Sequence, residues 1–224
     1  MKLFCDDLTA TQIAGITGIS RITVNAYFKL IRTHIARFCE ERSPVPAVHS
    51  EELTAFAANE ELPEGLLPES TGARKAFYGI YLHDGMLYTD RIALTDPSWL
   101  YDWLKGQAPT NEAAVEQLRL ARFSGLADFN QLRLLRLPGG QDAVRGRQPA
   151  DELEVFWGLL KSRLVKFRGL NSSTLYLHVK ETEFRYNYRE RDIYEILMDI
   201  LNTQPLHHSK TERKTAGQML NTGA

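Results

Sequence analysis

Hydrophobic residues recur with helical spacing between residues 149 and 167, which is the clearest period in the chain. Six apolar side chains follow the i, i+3, i+4, i+7 rule and predict an amphipathic helix with one buried face. They are Leu153, Phe156, Trp157, Leu160, Leu164 and Phe167. Asp151 and Glu152 lie in the first turn, where the helix dipole favours carboxylates by about 0.3–1 kcal/mol. Glu154 and Lys161 lie along one margin of the apolar face, so we expect Glu154 to be half-buried.

An alternating pattern with a turn signal in its middle precedes this helix. Two β-rich runs, "KAFYGIYLH" and "MLYTDRIAL", flank Asp84 and Gly85. An Asp-Gly pair in this position predicts a hairpin with a two-residue turn of positive φ. The stretches "LRLA" and "QLRLLRL" predict further buried or half-buried strands. Strands followed by alternating helix and strand, and then by helices, predict an α/β fold with a mixed sheet.

The first forty residues predict two helices joined by a tight turn. Thr9 and Thr11 can cap a short helix, and Ser20 can cap a second, longer one. A helix-turn-helix needs a small residue where the helices touch, a glycine in the turn and a branched apolar residue pointing inwards. The residues at these three positions are Ala14, Gly18 and Val24.

That arrangement leaves polar side chains facing outward near the start of the second helix, where such motifs enter the major groove of DNA. They are Ser20, Arg21, Thr23, Asn25 and Lys29. DNA binding is therefore the favoured interpretation. An ordinary helical hairpin with a polar face is the alternative.

Two prolines in "SPVPAV" interrupt the helical pattern and predict a domain boundary. We expect a helix-turn-helix module at residues 1–43, an α/β core at 44–202 and a polar, disordered tail at 203–224. Within the core, "STLYLHVKETEFRYNYRER" predicts a helix that interleaves aromatic and basic residues. "DIYEILMDIL" predicts another helix, capped by Asp192.

Charge is distributed unevenly, although the formal net charge is only −1. Residues 51–117 contain 12 acidic and 4 basic residues, whereas residues 156–191 contain 8 basic and 3 acidic residues. The basic C-terminal half suggests a surface for a polyanion, unless the two halves neutralise each other in the fold. No apolar run approaches the roughly 20 residues of a membrane span, and the N-terminus lacks the pattern of a signal peptide. A cytoplasmic protein with reduced Cys5 and Cys39 is expected.

Three segments together resemble a known family. They are "DLTATQIAGITGISRITVNAYFKLIR", "FYGIYLHDGMLYTDRI" and "ELEVFWGLLKSRLVKFRGLNSSTLYLHVKETEFRYNYRERDIYEIL". They resemble bacterial insertion-sequence transposases of the DDE superfamily with an ISXO-like transposase domain. The resemblance runs from about Leu3 to Leu201.

The resemblance implies a ribonuclease H-like fold, a mixed sheet flanked by helices, and DNA recombination by phosphoryl transfer. Such enzymes hold two Mg²⁺ ions about 4 Å apart in a carboxylate cluster, because Mg²⁺ prefers oxygen ligands. They generally act as dimers or larger assemblies on DNA, so a homodimer is expected from the resemblance alone.

Only one of the three metal-binding positions of the family is retained. Glu154 matches the glutamate that precedes Phe-Trp in the third motif, with Asp151 replacing an asparagine. His49 and Ala121 stand where the first and second aspartates are expected. Alanine offers no ligand, so transition-state stabilisation by the metals would be lost. The resemblance therefore implies a catalytically inactive relative, without a cofactor, that still binds DNA.

On this hypothesis, Arg21, Thr23 and Asn25 face bases and a set of basic side chains faces phosphates. The basic set is Lys29, Arg32, Lys161, Arg163, Lys166 and Arg168.

Two alternatives stay open at this stage. The first is an active Mg²⁺-dependent transposase whose carboxylates have relocated to Glu51 or Glu52, Asp128 and Glu154, with Asp151 as a further candidate ligand. The second is a protein-interaction module whose acidic segment, Leu53 to Gly72, binds a basic partner.

Overall fold

The computed structural model describes residues 1–44, 77–92, 98–117, 119–137, 149–166 and 172–203. Predictions for the segments between these ranges and for the tail lie outside the described residues. The helices are α1 (Lys2–Cys5), α2 (Ala10–Thr17), α3 (Arg21–Glu41), α4 (Ser98–Leu104), α5 (Glu112–Gln117), α6 (Pro149–Lys166), α7 (Ser172–Asn187) and α8 (Ile193–Thr203). The strands are β1 (Phe77–His83), β2 (Met86–Ile92), β3 (Gly125–Asp128) and β4 (Arg133–Arg136), and a 3₁₀ turn spans Leu120–Arg122.

The fold is α/β, with helices around a four-stranded antiparallel sheet of order β2-β1-β3-β4. Strands β1 and β2 form the predicted hairpin, in which His83 pairs with Met86. Its two turn residues, Asp84 and Gly85, have φ angles of 50° and 78°. The predicted turn is therefore confirmed, because two consecutive positive φ angles match the twist of the paired strands.

The sheet differs from the sequence-based expectation in two respects. Every pairing within the described strands is antiparallel, so these strands do not form the mixed sheet that we expected. The described part of the predicted strand "LRLA", residues 119–121, instead forms the start of the 3₁₀ turn. Leu120 and Phe123 are both buried, and a spacing of three residues puts both side chains on one side of a 3₁₀ turn. A strand would have placed them on opposite faces.

Both faces of the sheet are covered by helices. On one face, Tyr78 and Ile80 pack against the apolar stripe of α6 and the buried side of α7. Four of the six predicted stripe residues are buried, and Leu164 is half-buried. On the other face, Phe77 and Tyr81 pack against Leu100 of α4 and against the 3₁₀ turn.

The three N-terminal helices share their hydrophobic core with the C-terminal helices. Val24, Phe28 and Ile35 of α3 pack in one cluster with Phe184 of α7 and Leu197 of α8. The boundary predicted near residue 43 therefore does not separate two cores, since the first 44 residues bury their apolar face against α7 and α8.

Local capping explains where α2 and α3 begin and where α2 ends. The Thr9 hydroxyl accepts a hydrogen bond from the Gln12 amide, and the Gln12 side chain accepts one from the Thr9 amide. Gly18 follows α2 with a φ of 70°, a conformation that glycine adopts without strain. The Ser20 hydroxyl then accepts from the Thr23 amide at 3.1 Å. The roles predicted for Thr9, Gly18 and Ser20 are thus observed.

Helix α8 also begins as predicted. The Asp192 carboxylate accepts a hydrogen bond from the Tyr194 amide at 2.8 Å. It satisfies one of the amides that have no partner within the helix.

Two glycines offer a matched test of the packing. A Cβ atom on Gly79 of β1 would meet the buried ring of Phe123, whereas a Cβ on Gly158 of α6 would meet no atom within 4 Å. We expect Gly79→Ala to destabilise the protein by about 1–3 kcal/mol through overpacking. Gly158→Ala should stabilise it by up to about 1 kcal/mol, because alanine favours an exposed helix position. Urea unfolding measures both changes, and equal effects would contradict the packing of Phe123 on β1.

Candidate nucleic-acid interface

The start of α3 presents polar side chains to solvent. Arg21 and Asn25 are exposed on one side of the helix, while Val24 is buried on the other. Ser20 and Thr23 are also exposed, but their hydroxyl oxygens lie 2.9 Å apart in a mutual hydrogen bond. Arg21 and Asn25 are therefore the better placed side chains for contacts with an external partner.

A cleft of about 730 Å³ lies beside this helix face. It is formed by the start of α2, the first three turns of α3, the end of α6 and the start of α7. Its described lining includes four cationic side chains and no carboxylate. The cationic residues are Arg21, Lys29, Arg32 and Lys166. This cleft, called the basic cleft below, therefore has an electrostatic field that favours an anion.

Two of the predicted phosphate contacts need correction, because Arg32 and Arg163 are only 8% and 7% exposed. The Arg32 Nε atom donates to a Glu181 carboxylate oxygen at 2.7 Å. The Arg163 guanidinium forms ion pairs with Asp7 and, at 2.7 Å, with the other Glu181 oxygen. Both side chains therefore hold helices together instead of extending into solvent.

Glu181 is the centre of this buried cluster, because Arg185 also donates to it at 2.9 Å. Burial alone would raise the pKa of Glu181, but the charges of Arg163, Arg32 and Arg185 outweigh burial and hold the pKa well below its ordinary value. Glu181 is thus ionised, and one carboxylate joins α3, α6 and α7.

A second buried cluster lies on another side of α7, around Lys180, the residue directly before Glu181. The Lys180 ammonium donates to the Thr89 carbonyl oxygen at 2.7 Å and to Glu183 at 3.0 Å, and it lies 3.3 Å from Glu40. Burial alone would lower the pKa of Lys180, but the two carboxylates raise it above its ordinary value. The Asn187 amide completes the attachment by donating to and accepting from the backbone of Leu87. Of the eight basic residues counted at residues 156–191, Arg163, Lys180 and Arg185 are therefore engaged in internal ion pairs.

The remaining predicted phosphate contacts have different surroundings. Lys161 is exposed on α6, with its ammonium 5.5 Å from the centroid of the Trp157 ring. Lys166 lies at the rim of the basic cleft, and its ammonium is 3.1 Å from an Asp7 carboxylate oxygen. Arg168 lies outside the described residues.

The retained catalytic-motif residue lies on the surface. The Glu154 side chain is 55% exposed, not half-buried as expected, and accepts a hydrogen bond from Arg136 at 3.1 Å. Ala121 is exposed on the 3₁₀ turn. Asp151 is in the first turn of α6, whereas His49 lies outside the described residues.

Asp128, a carboxylate of the relocated-site alternative, is fully buried at the end of β3. One oxygen accepts from the amides of Asn130 and Gln131, at 2.8 and 3.2 Å. The other accepts from the Tyr101 hydroxyl at 2.8 Å and from Arg133 at 3.4 Å. These four hydrogen bonds occupy the lone pairs that a metal ligand would need, so the environment of Asp128 fits the cap of the β3–β4 turn.

Within the described ranges, no group of three or more His, Cys, Asp or Glu side chains is placed to hold a metal ion. The donor set that the structure does describe also fits Mg²⁺ poorly. Glu154 is engaged with Arg136, and Asp128 is already saturated with hydrogen bonds.

His178 is the buried side chain of the basic cleft that sequence reasoning did not single out. Burial, and then the positive charges of Arg32 and Arg163, lower its pKa from 6.5 to about 3. His178 is therefore neutral at pH 7. It follows Leu177 on the buried side of α7, and the sequence pattern alone gives no sign that three other helices converge there.

Comparisons of the chain with protein-family models, with curated proteins and with solved structures find no match. Among the helices in the described ranges, none has the length and apolarity that crossing a membrane requires.

The buried cluster leads to a stability prediction. Glu181→Gln keeps the side-chain shape but leaves three guanidinium groups without their common counter-charge, so unfolding free energy at pH 7 should fall by about 3–5 kcal/mol. Because the folded pKa of Glu181 is depressed, its contribution is present above the ordinary pKa of 4.5 and is lost as pH falls below it. Urea unfolding should therefore show a smaller difference between the two proteins in acid. Glu154→Gln, in an exposed ion pair, is the control and should cost less than about 1 kcal/mol.

His178 leads to a separate prediction, at pH values above those at which carboxyl groups titrate. Its folded pKa is depressed, so its contribution to stability is complete above pH 6.5 and declines as pH falls from 6.5 towards 3. Between pH 6.5 and 4.5, wild-type stability should decline by up to about 1.4 kcal/mol per pH unit through this group. The His178→Gln variant should show a shallower decline, and the exposed-site variant His83→Gln should follow wild type. Parallel curves for all three proteins would contradict a buried neutral His178.

Proposed function

We propose that this chain is a DNA-binding protein of insertion-sequence transposase ancestry that has lost metal-dependent catalysis. In this proposal α2 and α3 act as a helix-turn-helix, and the α/β part derives from a ribonuclease H-like core. The observation that carries the proposal is the pair of exposed polar side chains Arg21 and Asn25 at the start of α3, beside a cleft with four cationic side chains and no carboxylate in its described lining.

The size and charge of this surface suit duplex DNA. An α-helix with its side chains is about 10–12 Å across, and the major groove is about 12 Å wide. With α3 in the groove, Arg21 and Asn25 are the candidates to read base edges. Lys29 and Lys166, at the cleft, are the candidates to contact phosphates. Arg32 and Arg163 do not face the DNA in this proposal. Their ion pairs with Glu181 hold α3 and α6 against α7.

Loss of catalysis is supported by the side chains at the family's metal-binding positions. The Ala121 methyl group cannot bind a cation, and Glu154 is neutralised by Arg136. The relocated-carboxylate alternative is weakened because Asp128 is a buried turn cap.

The other expectations stay predictions. The homodimer depends on the resemblance alone, and the protein-interaction alternative depends on an acidic segment that lies outside the described residues.

DNA binding can be measured by fluorescence anisotropy with a labelled random-sequence duplex at low salt. Wild type should bind, and the logarithm of its affinity should fall linearly with the logarithm of salt concentration, because each phosphate contact releases counterions. The Arg21→Ala/Lys29→Ala variant, which removes two cations of α3 including the candidate phosphate contact Lys29, should bind at least about tenfold more weakly and show a salt slope smaller by about 1. Lys105→Ala is the matched control, because Lys105 is an exposed cation after α4, on the opposite face of the sheet.

Absence of binding by wild type at low salt would refute the proposal. Equal losses in the double variant and in Lys105→Ala would show that attraction is diffuse and not located at α3. Mg²⁺- or Mn²⁺-dependent strand transfer that Glu154→Gln abolishes would instead support the active-transposase alternative.

A further inference from the structure

Helix α6 is weakly polar on the side that faces away from the rest of the protein. Its buried stripe packs against the sheet and α7. On the opposite side, five uncharged residues recur at i, i+3, i+4, i+7 and i+10, a spacing that places them on one face of a helix. They are Val155, Gly158, Leu159, Ser162 and Val165, and all five are exposed. This set is called the outer stripe below.

The outer stripe is more apolar than a solvent-facing helix surface requires. Val155, Leu159 and Val165 are 55%, 44% and 68% exposed. Single apolar residues on a surface are ordinary, whereas a contiguous apolar patch marks an interaction surface. A helix that is apolar on all sides is normally buried. The outer stripe therefore fits a face that a partner covers.

The centre of the outer stripe is open to close approach. Gly158 has no side chain, and a Cβ atom placed on it would meet nothing within 4 Å. Ser162, one turn later, is also small. Two packed helices lie about 8–10 Å apart, depending on the side chains at the contact. These two residues therefore allow a second helix to lie close against α6.

Charged residues along one margin of the outer stripe indicate which partner fits. Glu154 and Lys161 are both exposed on that margin, seven residues or two helical turns apart. Glu154 lies before Gly158 and Lys161 lies after it, at nearly equal distances. Consider two α6 helices that are antiparallel and related by a two-fold axis close to Gly158. Each margin then meets the same margin of the other copy in the reverse direction, so Glu154 lies opposite Lys161 of the other copy, and this contact occurs twice.

A parallel pair of helices lacks this match. Each residue then lies level with its own copy, and Glu154 stays two turns away from Lys161 of the other chain. The ion pair that Glu154 makes with Arg136 is exposed to solvent and weak. It therefore does not prevent Glu154 from meeting a lysine of a second copy.

We propose that two copies of this chain associate through the outer stripe, with their α6 helices antiparallel. Val155 and Leu159 form the apolar contact nearest the two-fold axis, and Glu154 and Lys161 fix the relative direction of the helices. The resemblance to transposases predicts a homodimer without indicating an interface, whereas the outer stripe indicates one. This self-association goes beyond the proposed function, because it involves no DNA.

Sedimentation velocity of the full chain over a range of concentrations measures the association. The mass of wild type should rise from that of the monomer, 25.5 kDa, towards twice that value. Leu159→Ser should weaken the association at least about tenfold, because a two-fold interface loses a leucine from each copy. Ile22→Ser is the matched control, since Ile22 is an exposed apolar residue of α3, and it should associate like wild type. Circular dichroism checks the fold of each variant.

Charge reversal tests the antiparallel arrangement. Glu154→Lys and Lys161→Glu each place like charges opposite one another at both contacts, so each variant alone should associate at least about tenfold more weakly than wild type. A mixture of the two variants restores both ion pairs in a mixed dimer and should associate nearly as wild type does. The double variant Glu154→Lys/Lys161→Glu should recover in the same way. It still lacks the ion pair with Arg136, so its recovery shows that loss of that pair is not the cause of the weakening.

Weakening by Leu159→Ser together with recovery in the mixture supports the proposal. A wild type that stays monomeric up to about 100 μM overturns it, because that limit excludes all but very weak dimers. Association that survives Leu159→Ser, or that Ile22→Ser weakens equally, overturns it too, since the contact then lies on another surface. Unchanged association in the charge-reversal variants, or a loss without recovery in the mixture, contradicts antiparallel pairing and also overturns the proposal.

Discussion

The structure depends on one buried carboxylate shared by three arginines. Moving an ion of this kind from water into a protein interior costs several kcal/mol, and the attraction of its partners must offset that cost. Glu181 meets this requirement because Arg32, Arg163 and Arg185 reach it from α3, α6 and α7. None of these helices can move away alone without leaving a charge in the interior. The start of α3 is therefore fixed on a support that it shares with α6 and α7.

Helix α7 acts as the central support of the fold, and its polar residues explain a sequence pattern that is also typical of binding sites. Lys180 and Glu183 attach it to Thr89 of β2, Asn187 attaches it to the same strand, and the Tyr176 hydroxyl donates to Glu40 of α3 at 2.5 Å. The alternation of Lys, Glu, Glu, Arg and Asn in this segment thus serves contacts on several sides of one buried helix. The charged residues of this segment therefore serve mainly to attach α7 to the elements around it.

Local features were predictable from the sequence, because each depends on residues near one another in the chain. The stripe of α6, the Asp84-Gly85 turn and the caps at Thr9, Ser20 and Asp192 belong to this group. The burial of Arg32 was not predictable, since its partner Glu181 lies 149 residues away. The outward orientation of Arg21 and Asn25 on α3 was predictable from their spacing to the buried Val24. The cleft was not predictable, because four separate helices form it. Glu154 was expected to be half-buried at the margin of the apolar stripe, but its side chain is exposed to solvent in an ion pair with Arg136.

The distance in sequence between α3 and α7 also matters for how the protein is made. The apolar residues of α1, α2 and α3 leave the ribosome first, yet the helices that bury them are encoded well over a hundred residues later. Contacts between such distant segments carry a large loop-closure cost and form slowly. The N-terminal helices therefore keep part of their hydrophobic surface exposed until α7 and α8 have been synthesised. A chain in this state is prone to aggregation and is a suitable substrate for chaperones. A truncated product that ends before α7 would keep the exposed Arg21 and Asn25 of α3 but lack the support that holds this helix in place.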